Sequence, residues 1–187
     1  MKNILKIISF QLLLFFIINT NTFSQIKFKS INAGITIGSI SSSSPSFTTL
    51  GGKLSTDFNL WFSNDVSFRF GFEHSRMLEY FFPEDRINKT YPFVNILSLT
   101  SFINQNIYKK IFLEESVGLI LLRDKTFSDR SYWEYGTTFS LASGLDFRDS
   151  ENYGAKLSLG INYGLTFNKT SVSYNLIAIQ INYYFRL

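Results

Sequence analysis

From Tyr153 to Phe167 the residues sort by parity. Tyr153, Ala155, Leu157, Leu159, Ile161, Tyr163, Leu165 and Phe167 fall on one side, and Gly154, Lys156, Ser158, Gly160, Asn162, Gly164 and Thr166 on the other. A period of two marks a strand with one apolar and one polar face, because a helix would mix the two sets. Residues 133–147 repeat the pattern, with Trp133, Tyr135, Phe139, Leu141, Leu145 and Phe147 opposite Glu134, Gly136, Thr138, Ser140, Ala142, Gly144 and Asp146. In 50–62, Leu54, Phe58, Leu60 and Phe62 oppose Lys53, Ser55, Asp57 and Asn59, and in 66–74 Val66, Phe68, Phe70 and Phe72 oppose Ser67, Arg69, Gly71 and Glu73. Residues 31–40 and 175–187 alternate in the same way. Two further segments, 93–103 and 111–122, carry apolar residues at both parities, so eight strands are predicted in all. Within the last of these, Glu115 falls among Leu113, Val117 and Leu119, where a lipid-facing charge costs energy. Either a bulge shifts the register there or Glu115 sits at the interface beside Lys109 or Lys110; the pattern leaves both open.

The polar connections 63–65, 104–110 and 149–152 are short or moderate. They alternate with longer ones at 41–49, 75–92 and 123–132 and a short one at 168–171. That asymmetry matches outer-membrane barrels, whose periplasmic turns are short and external loops longer. A final strand ending on "INYYFRL" would fray with a free edge, and it is stable if it pairs with the first strand and closes the sheet. The expected fold is all-β: an eight-stranded antiparallel up-and-down transmembrane β-barrel.

Alternation alone does not say which face points outward, since a soluble barrel is a membrane barrel turned inside out. Residue size decides it. The polar faces are mostly Gly, Ser, Thr and Ala, and the lumen of an eight-stranded barrel is barely wide enough for side chains. The apolar faces carry bulky Leu, Ile and Phe mid-strand, with Trp133, Tyr135, Tyr153, Tyr183 and Phe185 toward the ends as an aromatic girdle.

Residues 1–24 read as a cleavable signal peptide: Lys2 and Lys6 precede the apolar run Leu12–Ile18, and Thr22 and Ser24 stand at −3 and −1 of a cut before Gln25. The barrel domain is then 25–187. Setting aside Lys2 and Lys6 leaves 16 basic against 14 acidic residues, a balance that does not point to nucleic acid. There is no cysteine, which excludes disulfides, thiolate metal sites and an N-terminal lipidated Cys. The 21 Phe and 10 Tyr fit a lipid-facing β structure.

With "NTFSQ" after the signal, "FVNILSL" followed by "FLEESVGLIL", the Gly-rich "YGAKLSLGINYGLTF" and the closing "YYFRL", the mature region resembles the eight-stranded outer-membrane barrels of Bacteroidota, the PorT-like group. More distantly it is similar to the OmpA-like transmembrane domain. The resemblance implies an integral outer-membrane location and a C-terminal strand read by the barrel-assembly machinery, but no single activity. Members usually finish on an aromatic, and here Leu187 is last with Phe185 two before it.

Lys53, Arg69 and Lys156 against Asp57, Glu73, Glu134 and Asp146 are expected to form a nearly balanced charge network inside the barrel, because a lone buried charge is expensive. Tyr80, Phe81 and Phe82 in 75–92 are candidates for contact with a protein partner or lipopolysaccharide, against a loop that merely folds over the rim. His74 shares a face with Phe70 and Phe72, while Ser75 points the other way, so a lipid-modifying His–Ser pair lacks its geometry. No metal site, cofactor or phosphate loop is expected. The expected function is a non-catalytic outer-membrane barrel with a plugged polar interior and a scaffold, membrane-integrity or surface-interaction role. Its partners would be outer-membrane lipid, lipopolysaccharide and possible envelope proteins. The alternatives are a component of a secretion or envelope-assembly machine, and a lipid A-modifying enzyme centred on His74.

Overall fold

In the computed structural model, residues 26–41, 46–60, 66–81, 93–124, 132–149, 153–167 and 172–185 are described. The predicted signal peptide, 1–24, lies outside them, as do Phe62, Arg186 and Leu187 from the ends of predicted segments. Eight strands run β1 (Lys27–Ser41), β2 (Phe47–Asn59), β3 (Val66–Met77), β4 (Phe93–Tyr108), β5 (Ile111–Asp124), β6 (Tyr132–Asp146), β7 (Gly154–Thr166) and β8 (Ser173–Tyr184). Each pairs antiparallel with the next, and β8 returns to β1 from Ser30↔Tyr184 to Ser41↔Ser173, closing the barrel. Closure gives every strand two partners, so no row of N–H and C=O groups faces hydrocarbon unpaired.

The pleat then divides the residues. Leu119 and Ile35 are 67% and 66% exposed on the outer wall, with Leu54, Phe70, Leu99, Phe139, Leu159 and Ile179 around the same belt. Ser55, Asp57, Arg69, Glu73, Ser158, Gln180 and Asn182 are buried inside. Aromatic rings cluster at both ends of the belt. Tyr153, Tyr183 and Phe185 meet where the chain termini of the barrel lie, with centroids 6.3 and 4.9 Å apart. Tyr135 and Phe167 meet at 6.2 Å toward the opposite end. A greasy outer wall around a polar centre is the arrangement of a transmembrane barrel.

Three features differ from expectation. First, β4 continues to Tyr108, so 104–108 are strand and the connection shrinks to Lys109–Lys110, with Lys109 at φ 41°, in the left-handed region. Second, Ser75–Met77 extend β3, and Leu78–Phe81 form a 3-10 helix in what reads as loop. Third, the lumen is not polar along its whole length. Ile40, Val94, Ile96, Ile120, Leu122, Val172, Tyr174 and Leu176 form a buried apolar cluster at the end carrying the 42–46, 82–92, 125–131 and 168–171 connections. Tyr174 lies flat across Gly164 on β7, where a β-carbon would collide with the ring. The inward Val94, Ile96, Phe102, Phe112, Ile120 and Leu122 explain why β4 and β5 are apolar at both parities.

The register through Glu115 is regular, with Ile103 and Leu141 opposite it, and the irregularity in this pair of strands lies at Asn106/Tyr108. Glu115 therefore points to the outer wall, and Lys109 is turned onto the Tyr108 ring, 5.3 Å from its centroid. A carboxylate in an apolar belt carries a desolvation cost that falls toward the interface. Replacing Glu115 with Leu should stabilise the folded barrel by up to about 1 kcal/mol. Guanidinium titration of the folded band in detergent measures it, and an unchanged or lower midpoint contradicts the lipid-facing placement.

Candidate functional site

Among the described residues the lumen holds the densest polar chemistry, and strand register assembles it. Asp57 on β2 lies directly opposite both Ser30 on β1 and Arg69 on β3. Arg69 donates to Asp57 from Nε at 2.7 Å and Nη2 at 3.0 Å, and to Glu114 across the lumen from Nη1 at 2.6 Å and Nη2 at 3.2 Å. Ser30 Oγ and Asn32 Nδ2 donate to the Asp57 carboxylate at 2.8 and 2.9 Å. The guanidinium lies over the Phe102 ring, 4.5 Å from its centroid. Bidentate pairing on two sides uses the planar fork of Arg as no Lys could. All three charged groups are at most 4% exposed.

Lys53 faces Glu73 in the next layer toward the loop end, directly across β2 and β3. Ser75 Oγ donates to Glu73 at 3.2 Å. Lys53, Arg69, Glu73, Ile96, Thr100 and Tyr174 border a void of about 20 Å³, room for about one water. On the other side of the Arg69 layer, Arg148 and Lys156 close on Asp146 at 2.8 and 3.4 Å, with Lys156 4.3 Å from the Phe112 ring centroid and Arg148 4.6 Å from that of Tyr184. Glu134 lies near the loop end and accepts a hydrogen bond from Thr166 Oγ1 at 2.7 Å.

Of the interior charges predicted from sequence, Lys53, Asp57, Arg69 and Glu73 thus stack in adjacent layers. Asp146 and Lys156 pair at the terminus end, and Glu134 lies near the loop end with Thr166. Two members escaped sequence reading. Glu114 was hidden by its neighbour Glu115, although parity with Phe112 and Ile120 marks one of the pair as inward. Arg148 follows β6 and folds back over the lumen, and no periodicity reports that. Gly154 makes the fold-back possible: at φ 122° it opens β7, and a β-carbon there would strike the Arg148 backbone.

Tyr80 and Phe81 lie in the 3-10 helix at the loop end, ring edge to face at 5.5 Å, with Phe81 exposed. Phe82 lies outside the described residues. His74 is on the outer wall. Its Nε2 accepts from Arg76 Nε at 3.1 Å, which leaves Nδ1 as the N–H donating to Asn95 Oδ1 at 2.6 Å. Ser75 is buried on the lumen side. No group of three or more metal-ligating side chains occurs among the described residues, and no helix there is long and apolar enough to cross a membrane.

No protein-family model and no curated protein matches the sequence. Solved structures do. Neisserial surface protein A superposes with a TM-score of 0.64 at 12% identity, over 86% of this chain and 99% of that one. The fold is that of a small outer-membrane barrel. Ail, the attachment invasion locus protein of Yersinia pestis, aligns over 84% of this chain and 98% of its own at 16% identity, with a TM-score of 0.49. The β-barrel domain of Pseudomonas aeruginosa OprF reaches 0.36 at 16% identity, covering 83% and 99%. The closed barrel with its apolar outer wall makes this chain an integral outer-membrane protein.

Removing Arg69 strands two buried carboxylates against each other, the costly way to break a buried ion network. Arg69→Met should lower stability by about 3–5 kcal/mol. Adding Asp57→Asn and Glu114→Gln should recover most of that loss in urea titrations of the detergent-solubilised barrel. Equal stability of Arg69→Met and wild type contradicts the assigned network.

Proposed function

We propose that this protein is a non-catalytic outer-membrane barrel with a sealed lumen, whose work is done by its outer wall and its loop-end surface. The carrying observation is the filling of the lumen: the Arg148–Lys156–Asp146 cluster, the Arg69 layer, the Lys53–Glu73 layer and the Ile40–Leu176 apolar plug follow one another along the axis. The void bordered by Lys53, Arg69, Glu73 and Tyr174 holds about one water, and eight-stranded barrels do not leave an aqueous channel. A scaffold, membrane-integrity or surface-interaction role fits such a plugged body. Tyr80 and Phe81 are the contact residues on the described part of the long loop.

In this reading residues 1–24 are removed on export, the barrel termini face the periplasm and the loop end faces outward. Outer-membrane lipid and lipopolysaccharide surround the wall, β8 is presented to the barrel-assembly machinery, and PorT-like barrels are the family. Catalysis at His74 has little support, because its ring nitrogens are committed to Arg76 and Asn95 and Ser75 lies on the opposite face.

A second reading, membership of a secretion or envelope-assembly machine, is favoured by the tip of the β4–β5 hairpin. Residues 105–111 are exposed on both parities, with Ile107 62% and Tyr108 60% exposed, so this tip stands clear of the wall at the terminus end. Planar-bilayer recordings of purified protein should show no stable conductance steps; reproducible steps contradict the sealed lumen. Photo-crosslinkers placed at Phe81 and at Tyr108 separate the two roles. Adducts from Phe81 alone support the surface role, and envelope-protein adducts from Tyr108 support the machine.

A further inference from the structure

The 3-10 helix Leu78–Phe81 does not continue upward from the barrel but folds back against the outer side of β2 and β3. It roofs a groove of about 500 Å³ on the outer wall, in the size range of ~300–1,000 Å³ typical of small-molecule sites. The register makes the groove. Ile35, Gly52, His74 and Asn95 form one row across β1 to β4, and Ile37, Leu50, Arg76 and Phe93 form the next. Gly52 leaves a gap in an otherwise bulky wall: a β-carbon there would meet nothing closer than Gly34 O at 3.9 Å.

The groove has two chemically distinct parts. Ile35, Leu50 and Gly52 make an apolar floor open to the lipid. At its loop-end rim stands Arg76, its guanidinium 4.2 Å from the Tyr80 ring centroid and its Nε held by His74. The His74 ring is fixed in turn by Asn95 and lies 6.0 Å from the Phe93 ring. Stacking and a single Nε bond orient the guanidinium, and neither Nη has a partner among the described residues. Among the described residues, no acidic side chain lines the groove. A fixed cation above an apolar trench matches a phosphate attached to an acyl chain, because planar N–H donors grip phosphate oxygens and the trench shields methylenes.

We propose that this groove binds one phosphorylated glycolipid of the outer leaflet, lipopolysaccharide, with an acyl chain along Ile35, Leu50 and Gly52 and a lipid A phosphate on Arg76. The choice of glycolipid over phospholipid rests on the reading that the loop end faces outward.

The test is native mass spectrometry of the full-length barrel extracted from outer membranes in mild detergent. Wild type should carry one lipopolysaccharide. Arg76→Gln should lower that occupancy about tenfold, the scale of one charge-assisted hydrogen bond. Gly52→Leu, whose β-carbon meets only Gly34 O at 3.9 Å and whose side chain projects into the trench, should do the same. Both should keep a folded, heat-modifiable band. Leu159→Phe on the far wall should leave occupancy unchanged. Wild type bearing phospholipid or no lipid, both groove variants binding as wild type does, or equal loss in Leu159→Phe would each overturn the site. Orientation is checked separately with Glu79→Cys, the sole cysteine in that variant. Labelling by an impermeant maleimide on intact cells supports the outward loop end, so missing glycolipid would then count against the groove alone. Absence of labelling would overturn the orientation, and with it the choice of an outer-leaflet lipid.

Discussion

Hydrogen-bond closure between β1 and β8 is the constraint on which the rest depends. In hydrocarbon a free strand edge has no water to satisfy it, so an eight-stranded sheet of this length survives only as a cylinder. Twelve residue pairs, Ser30↔Tyr184 to Ser41↔Ser173, make that seam without a register break. Once the cylinder is closed the pleat leaves no freedom. Each residue faces lipid or lumen, and a slip of one residue would exchange the two sets throughout.

A closed wall of eight strands also limits what the lumen can hold. Small side chains on β1, β2, β6 and β7 make room for a few large ones, and each large group rests on a partner: Arg69 on Phe102, Lys156 on Phe112, Tyr174 on the bare backbone at Gly164. The charges are tolerable because they are shared. Asp57 accepts from three side chains and Arg69 donates to two carboxylates, so no member is buried without compensation. Rigidity follows from the same contacts. On the proposed reading the filled lumen serves as a post and the chemistry lies outside it, at the groove under Tyr80.

Much of this was legible in the order of residues. Six strands were readable because one parity is bulky and the other small, and outward orientation followed from the size of the polar face. Three matters were not. Segments 93–103 and 111–122 looked ambiguous because Val94, Ile96, Ile120 and Leu122 fill the loop end of the lumen with apolar side chains, whereas a uniformly polar interior was expected. Glu114 was overlooked because the adjacent Glu115 drew the question of register. The groove was invisible because it exists only when Ile35, Gly52, His74 and Asn95 from four strands are brought into one row. Sequence reports each strand's faces, while sites between strands require register.

The closed seam is most directly tested by a cysteine pair at Ile35 and Ile179, which face each other across β1 and β8 in a chain with no cysteine of its own. Directly opposed antiparallel residues lie about 4.5–5.5 Å apart at Cα, within disulfide reach. Oxidation in native outer membranes should yield an intramolecular crosslink that keeps the first and last strands joined after heating in detergent. Failure to crosslink, or crosslinks formed only between molecules, would contradict the closed barrel.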